Sequence, residues 1–417
     1  MKILVYGINY APELTGIGKY SSEMCEWLAI QGHEVRVVTA PPYYPEWKVS
    51  KPYSPYHYSH EEIKGVHIWR APLWVPKKIS GVKRVLHLLS FSITSLPVVL
   101  GQVFWRPDVV LTVAPAFTCA PAGWLTARLS GAKAWLHIQD FEVDVAFKMG
   151  MLKGRLLQKA VLGLESFLLK RFDCVSTISH RMMELLQKKE VDVENTYQFL
   201  NWVNTRHIRS QTHVNAFREE LNIASDTKVI LFSGTLNSKQ GLEIIPQLAR
   251  KLEHRKDIMF VIGGEGVMKP ELEAASEGLS NIKFLPLQPV ERLSELLAMA
   301  NMHLLPQNSD AEDLVLPSKL SGMLASGRPV VAICNNGSEI AKVVVECGLV
   351  VPPNDEAALM EAIFTLVENA SERERLGIAA RHYAEVHLSI EHILNNVVNE
   401  MSRMTQPAIT VLNTGKL

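Results

Sequence analysis

Five short stretches carry residue types that suit the handling of an anionic, hydroxyl-rich ligand. The first is Pro12-Glu13-Leu14-Thr15-Gly16-Ile17-Gly18-Lys19-Tyr20. Gly16 and Gly18 let backbone approach a ligand closely, and a helix opening there turns its N-terminal amides toward an anion. A plain strand-to-helix turn reads the same way. The stretch lacks the third glycine and the tight spacing of a dinucleotide fingerprint, and no Gly-x-x-x-x-Gly-Lys-Ser/Thr sequence is present. The second is Trp135-Leu136-His137-Ile138-Gln139-Asp140-Phe141-Glu142-Val143-Asp144. An apolar run ends in polar groups, which places His137, Asp140 and Glu142 at the carboxyl end of a buried strand. There an imidazole can donate to a sugar hydroxyl or a developing charge, and carboxylates can position hydroxyls. A structural histidine and a divalent-metal site are the competing readings of the same residues.

The other three stretches lie further along. In Phe232-Ser233-Gly234-Thr235-Leu236-Asn237-Ser238-Lys239-Gln240-Gly241 a strand ends at Gly234 and a loop carries Thr235 and Lys239, a geometry that suits a phosphate. In Val261-Ile262-Gly263-Gly264-Glu265-Gly266 another strand enters a glycine turn, and Gly264 gives room for a flat base against backbone. In Asp310-Ala311-Glu312-Asp313-Leu314-Val315-Leu316-Pro317-Ser318-Lys319 an acidic loop with Glu312 and Asp313 runs into Pro317, Ser318 and Lys319 at a helix start. Ser318 is a natural N-cap or first-turn residue, and the helix dipole there favours a diphosphate with Lys319 beside it. A capped surface helix behind a solvated acidic loop is the alternative.

Something must hold these stretches in register, and the rest of the chain supplies it. Thirteen short apolar runs, from Ile3–Tyr6 to Leu349–Val351, alternate with helical patterns such as Tyr20, Met24, Trp27 and Leu28 or Leu242, Ile245, Leu248, Ala249 and Leu252. Most runs are continuously apolar, as in parallel strands covered on both faces. The expected architecture is therefore α/β: two Rossmann-like, doubly wound parallel-sheet domains facing a cleft. The polar stretch from Asn201 to Lys228 marks the seam, giving domains 1–205 and 206–385, a helix over 386–404 that returns to the first domain, and a loose tail 405–417.

The 417 residues carry 43 basic and 43 acidic side chains, which argues against a general affinity for nucleic acid. Five cysteines with no Cys-x-x-Cys spacing fit a reducing compartment, and Met1 to Gly7 reads as a first strand and not as a secretory signal. Val85 to Phe104 is mostly apolar and follows Lys77, Lys78, Lys83 and Arg84, so the region Lys77–Phe104 suits either a buried domain helix or a segment lying in a membrane interface.

Taken together the motifs resemble glycosyltransferase family 4 over essentially the full length. Thr15-Gly16-Ile17-Gly18, Asn201-Trp202-Val203-Asn204, Ile262-Gly263-Gly264-Glu265-Gly266 and Ala325-Ser326-Gly327-Arg328-Pro329-Val330 carry the likeness. The resemblance implies a GT-B fold and a retaining transferase that needs no metal or other cofactor. It implies a nucleotide-sugar donor, GDP-fucose by similarity to bacterial fucosyltransferases, and a polyprenyl-diphosphate-linked acceptor. It places the enzyme in the cytoplasm, peripheral at the inner face of the cytoplasmic membrane, in colanic-acid-like exopolysaccharide synthesis. Three positions depart from the family pattern: Thr235 where an arginine is usual, Gln240 where a lysine is usual, and Gly322 where a glutamate takes the ribose hydroxyls. Those departures motivate one alternative, a catalytically silent GT-B scaffold; a sugar-nucleotide epimerase, which can share the two-domain form, is another.

Overall fold

The computed structural model describes residues 1–13, 16–78, 80–114, 117–141, 155–209, 215–308 and 317–406, with the side chains of 155–157 and 239 excepted. Two compact units divide the chain, Met1–Phe199 with Leu394 onward, and Leu200–Ile393.

The first unit contains β1 (Lys2–Gly7), β2 (Glu34–Thr39), β3 (Ser59–Ile63), β4 (Val66–Arg70), β5 (Val109–Ala114), β6 (Lys133–Ile138), β7 (Cys174–Thr177) and β8 (Thr196–Gln198). They form one sheet in the order β3-β4-β2-β1-β5-β6-β7-β8. The continuous apolar runs Ile3-Leu4-Val5-Tyr6 and Val109-Val110-Leu111 are fully buried because helices cover both faces. Every pairing is parallel except β3 with β4. That hairpin turns through Lys64 and Gly65, both at positive φ (50° and 79°), as a two-residue connection between twisted strands requires. Sequence reasoning missed β3: its residues Ser59-His60-Glu61-Glu62-Ile63 are polar, and the strand survives only as a solvated sheet edge.

The second unit contains β9 (Lys228–Ser233), β10 (Ile258–Gly263), β11 (Ile282–Leu285), β12 (Met302–Pro306), β13 (Val330–Ile333) and β14 (Gly348–Val351), all parallel, in the order β11-β10-β9-β12-β13-β14. Core clusters lie on both faces of the sheet, one around Phe217, Leu324 and Ile340, the other around Phe260, Leu248 and Ile363.

The seam falls at Phe199/Leu200 and not after residue 205. Val203 is buried in a core of the second unit, its N–H donates to Leu388 O at 2.8 Å, and Ser389 bridges it. These bonds tie the start of the polar stretch to the second unit. The returning helix runs Ile390–Thr405, after a separate helix Ala370–His387, and it joins the first unit from Leu394. The predicted tail lies outside the described residues beyond Gln406.

Candidate functional site

In each sheet the order reverses once, between β1 and β5 in the first unit and between β9 and β12 in the second. Open α/β sheets bind ligands beyond the carboxyl ends of the strands at such a switch point. Four of the five predicted stretches begin at the ends of β1, β6, β9 and β10, and Pro317-Ser318-Lys319 opens the helix between β12 and β13.

In the second unit the two glycine loops are bonded backbone to backbone. Gly234 N–H donates to Gly263 O (3.0 Å), Leu236 N–H to Glu265 O (2.9 Å) and Met268 N–H to Leu236 O (3.1 Å). Gly264 has φ +144°, and a Cβ there would lie 1.9 Å from Gly234 O. On the side where a Cβ would stand the neighbouring loop fills the space, and glycine is required so that the loops can touch. The helix Ser318–Ala325 follows, with Pro317 at its N-cap and no side chain capping its first amides. Ser318 is thus the first helical residue and not the cap. Ser318 is exposed at the start of the helix, and the dipole there favours an anion.

Lys319 projects from that first turn across the end of β9. Its stem packs 3.3 Å from the position a Gly234 Cβ would take, and its Nζ lies 4.5 Å from the Phe232 ring centroid and donates to Gln240 Oε1 at 2.6 Å. The Gln240 contact joins this helix to the short helical turn Ser238–Gln240, which contains Lys239. Burial pushes the Lys319 ammonium down to about 7. No carboxylate lies within ion-pair distance of it among the described residues. A partly buried ammonium held by one neutral amide is stabilised when an anion arrives. Thr235 is exposed beside it. Glu312 and Asp313 lie outside the described residues, as does the Lys239 side chain. A Cβ at Gly322 would lie 3.4 Å from Leu297 and 3.7 Å from Ile208, so that side of the glycine is apolar.

In the first unit the loop after β1 is organised by Glu13, which sequence reasoning left without a role. Its carboxylate is buried. Oε1 accepts from Tyr43 N (3.1 Å) and Tyr44 N (3.0 Å), and Oε2 accepts from Asn9 Nδ2 (2.9 Å). Burial raises its pKa, and these donors and Arg70 oppose the rise. Gly18 is glycine because a Cβ would sit 2.7 Å from that carboxylate. Gly16 begins the helix Gly16–Ile30 at φ +59°. Arg70, buried at the end of β4, fastens the same loop by donating to Ala11 O (2.6 Å), Ala40 O (2.9 Å) and Glu61 Oε1 (2.5 Å). The only sequence signal for either residue was a lone charge inside an apolar stretch.

His137 sits at the end of β6, buried against Phe199 with ring centroids 4.4 Å apart. Gln139 Nε2 donates to its Nε2 (2.9 Å), so the proton sits on Nδ1 and is donated to Ser176 Oγ (2.9 Å). That hydroxyl also accepts from Trp135 Nε1 (2.7 Å). Burial pushes the imidazole down to about 3, so it is neutral. A donor role toward a ligand requires Gln139 to swing away and the ring to change tautomer. Asp140 is exposed beyond it, and Glu142 lies outside the described residues.

Comparison with known proteins agrees with this reading. Residues 15–202 match the family described as glycosyl transferase 4-like domain, and residues 214–383 match glycosyl transferases group 1. The chain is 42% identical over 410 residues to WcaI of Escherichia coli, a candidate colanic acid biosynthesis glycosyl transferase, covering 96% of this chain and 100% of that one. Among solved structures, sucrose-phosphate synthase from Thermosynechococcus elongatus superposes with TM-score 0.73 at 16% identity, covering 97% of this chain and 99% of the other. Anabaena HepE, solved with UDP-glucose, gives TM-score 0.67 at 14% identity over 97% and 100%. Two parallel α/β units, anion-seeking loops at their switch points and these likenesses lead to one assignment: the chain is a GT-B glycosyltransferase and belongs to the glycosyltransferase 4-like, group 1 family.

Proposed function

We propose that this glycosyltransferase is a retaining, metal-independent enzyme that moves fucose from GDP-fucose to a polyprenyl-diphosphate-linked sugar. It works at the inner face of the cytoplasmic membrane, in assembly of a colanic-acid-like exopolysaccharide. The carrying observation is Lys319, a partly buried ammonium without a carboxylate partner among the described residues, at a helix N-terminus beside Gly234 and Gln240. Breaking the bond between the sugar C1 and the diphosphate oxygen sends negative charge onto the leaving nucleoside diphosphate. Lys319 and the first amides of the helix Ser318–Ala325 receive that charge in the place where other transferases use a divalent cation. The likeness to WcaI, named for colanic acid biosynthesis, supports the choice of pathway.

The test is incubation of EDTA-treated protein with a panel of nucleotide sugars and a lipid-diphosphate sugar, followed by mass spectrometry and assignment of the anomeric configuration. The expected result is consumption of GDP-fucose only when acceptor is present, with configuration retained. Turnover of another donor, or loss of turnover with the metal, overturns the corresponding part. A second reading rests on Thr235 and Gly322: a scaffold that no longer transfers sugar. It predicts that no nucleoside diphosphate binds. An epimerase would convert the donor with no acceptor lipid.

A further inference from the structure

From Ile63 to Pro107 the chain contains no carboxylate and seven lysine or arginine side chains, although the whole protein is neutral. At the centre of this stretch is the helix Gly81–Gly101, followed by a short helical turn to Trp105. One face of the helix is bound to its own unit. His87, Phe91, Ser95 and Val99 are buried at four-residue spacing. Ser95 Oγ lies 2.7 Å from Tyr6 Oη, His87 Nδ1 donates to Trp74 O at 2.7 Å, and Ser92 Oγ lies 2.6 Å from Thr118 Oγ1. A spanning role would break these bonds in a medium with no water to replace them, so the helix does not cross a bilayer.

The opposite face is apolar and uncovered. Val82, Leu86, Leu89, Ile93 and Leu96 recur at three- and four-residue spacing, and Phe104 follows at the end, 92% exposed. Exposed Lys77, Lys78 and Lys83 stand at the start of this stripe and Arg106 beyond its end. An apolar stripe flanked by cations, with no acid across 45 residues, is complementary to a surface that is greasy within and negative at its rim. We propose that this face docks on an anionic lipid bilayer, with the helix lying in the interfacial plane.

The bound face also connects the lipid to the site. The His87 ring packs on Tyr43 (centroids 4.6 Å) and Trp47 (5.1 Å), and Tyr43 N–H donates to Glu13 in the loop after β1. A lipid-carried sugar is thereby delivered beside that loop. This delivery route rests on the acceptor proposed above, whereas the docking surface does not.

The test is flotation of the full chain with vesicles, in the absence of any sugar. Binding is expected with vesicles containing about a third phosphatidylglycerol, with loss at high salt and little binding to pure phosphatidylcholine. The double variant K77E/K78E weakens binding at least about tenfold. I93D abolishes it, with unchanged circular dichroism and melting because Ile93 is exposed. Failure of the wild type to bind, equal binding to neutral vesicles, or wild-type binding by I93D overturns the proposal. So does a solution dimer that I93D splits into monomers, which would give the face to a second copy. Sugar transfer to a water-soluble acceptor without vesicles is expected to persist in both variants, so loss of docking is distinguished from loss of the transferase reading.

Discussion

Replacing Lys319 by methionine separates stability from function with opposite signs. The side chain keeps its length, the charge goes, and Gln240 Oε1 loses its donor. In the free protein burial holds the Lys319 pKa at about 7 against an ordinary 10.5. If a bound diphosphate restores the ordinary value, the difference sets a ceiling of roughly 5 kcal/mol on the coupling. Partial solvent access brings this to about 2–3 kcal/mol, so K319M should weaken donor binding roughly 30- to 150-fold. Without donor the sign reverses. The folded pKa is lowered below the unfolded one, so the cost of burying the charge is fully present below about pH 7 and disappears as pH rises toward 10.5. K319M is therefore expected to melt higher than wild type at slightly acid pH and to lose that advantage in alkali.

The assay pairs calorimetric titration with thermal melts across this pH range. A nucleotide sugar is the right ligand, because its diphosphate is esterified at both ends and does not titrate near neutrality. Wild-type affinity should fall as pH rises above about 7, approaching tenfold per unit, while K319M shows no such slope. K319R should bind with a flat profile, since guanidinium stays charged throughout. Wild-type affinity in K319M, or a destabilised K319M in slightly acid buffer, refutes the reasoning.

Gln240→Glu should stabilise the free protein by giving Lys319 a counter-ion and should weaken donor binding roughly tenfold, both read in the same titrations. Gly264→Ala puts a Cβ 1.9 Å from Gly234 O and should cost at least about 3 kcal/mol in urea unfolding. Gly278→Ala, at φ +82° with nothing within 4 Å, should cost only about 1 kcal/mol. His137 and His303 are both held neutral by burial, at about 3, so stability should decline as pH falls below 6.5, by about 1.4 kcal/mol per unit for each. His303→Leu should make the acid limb of a denaturant series shallower. Glu13→Ala strands the Tyr43 and Tyr44 amides and should cost about 2 kcal/mol, with a raised acceptor KM and unchanged donor affinity.

What could be read in the sequence was whatever is written within one segment. Runs such as Ile3-Leu4-Val5-Tyr6 and Val229-Ile230-Leu231-Phe232 declare buried parallel strands because a strand covered on both faces has no polar side to alternate with. Lys319 was legible because a lysine following Pro-Ser at a helix start is a local pattern. β3 was not, since an edge strand needs only backbone bonds from β4 and its side chains stay polar. The loop contact at Gly264 was not legible because the atom that forbids a side chain there belongs to Gly234, thirty residues earlier. Glu13 and Arg70 were missed for the same cause. Their partners are spread over residues 9 to 61, and nothing in any one of those segments announces a shared polar core.

The departures from the family pattern are explained better as one rearrangement than as separate losses. A lysine at position 240 would set a second cation within hydrogen-bond distance of Lys319 and depress its charge further. Glutamine instead offers an oxygen that aims the ammonium without neutralising it. With that position neutral, the described sources of positive field at the end of β9 are Lys319 and the uncapped helix behind it. A catalytically idle scaffold gains nothing from a partly buried ammonium that has no carboxylate partner among the described residues, because that arrangement costs stability at neutral pH. A Cβ at Gly322 would meet only Leu297 and Ile208, so the change there falls on an apolar side of the helix. Among the described residues Lys319, at the switch point of the second sheet, has no carboxylate partner, which is the arrangement the proposed diphosphate site requires.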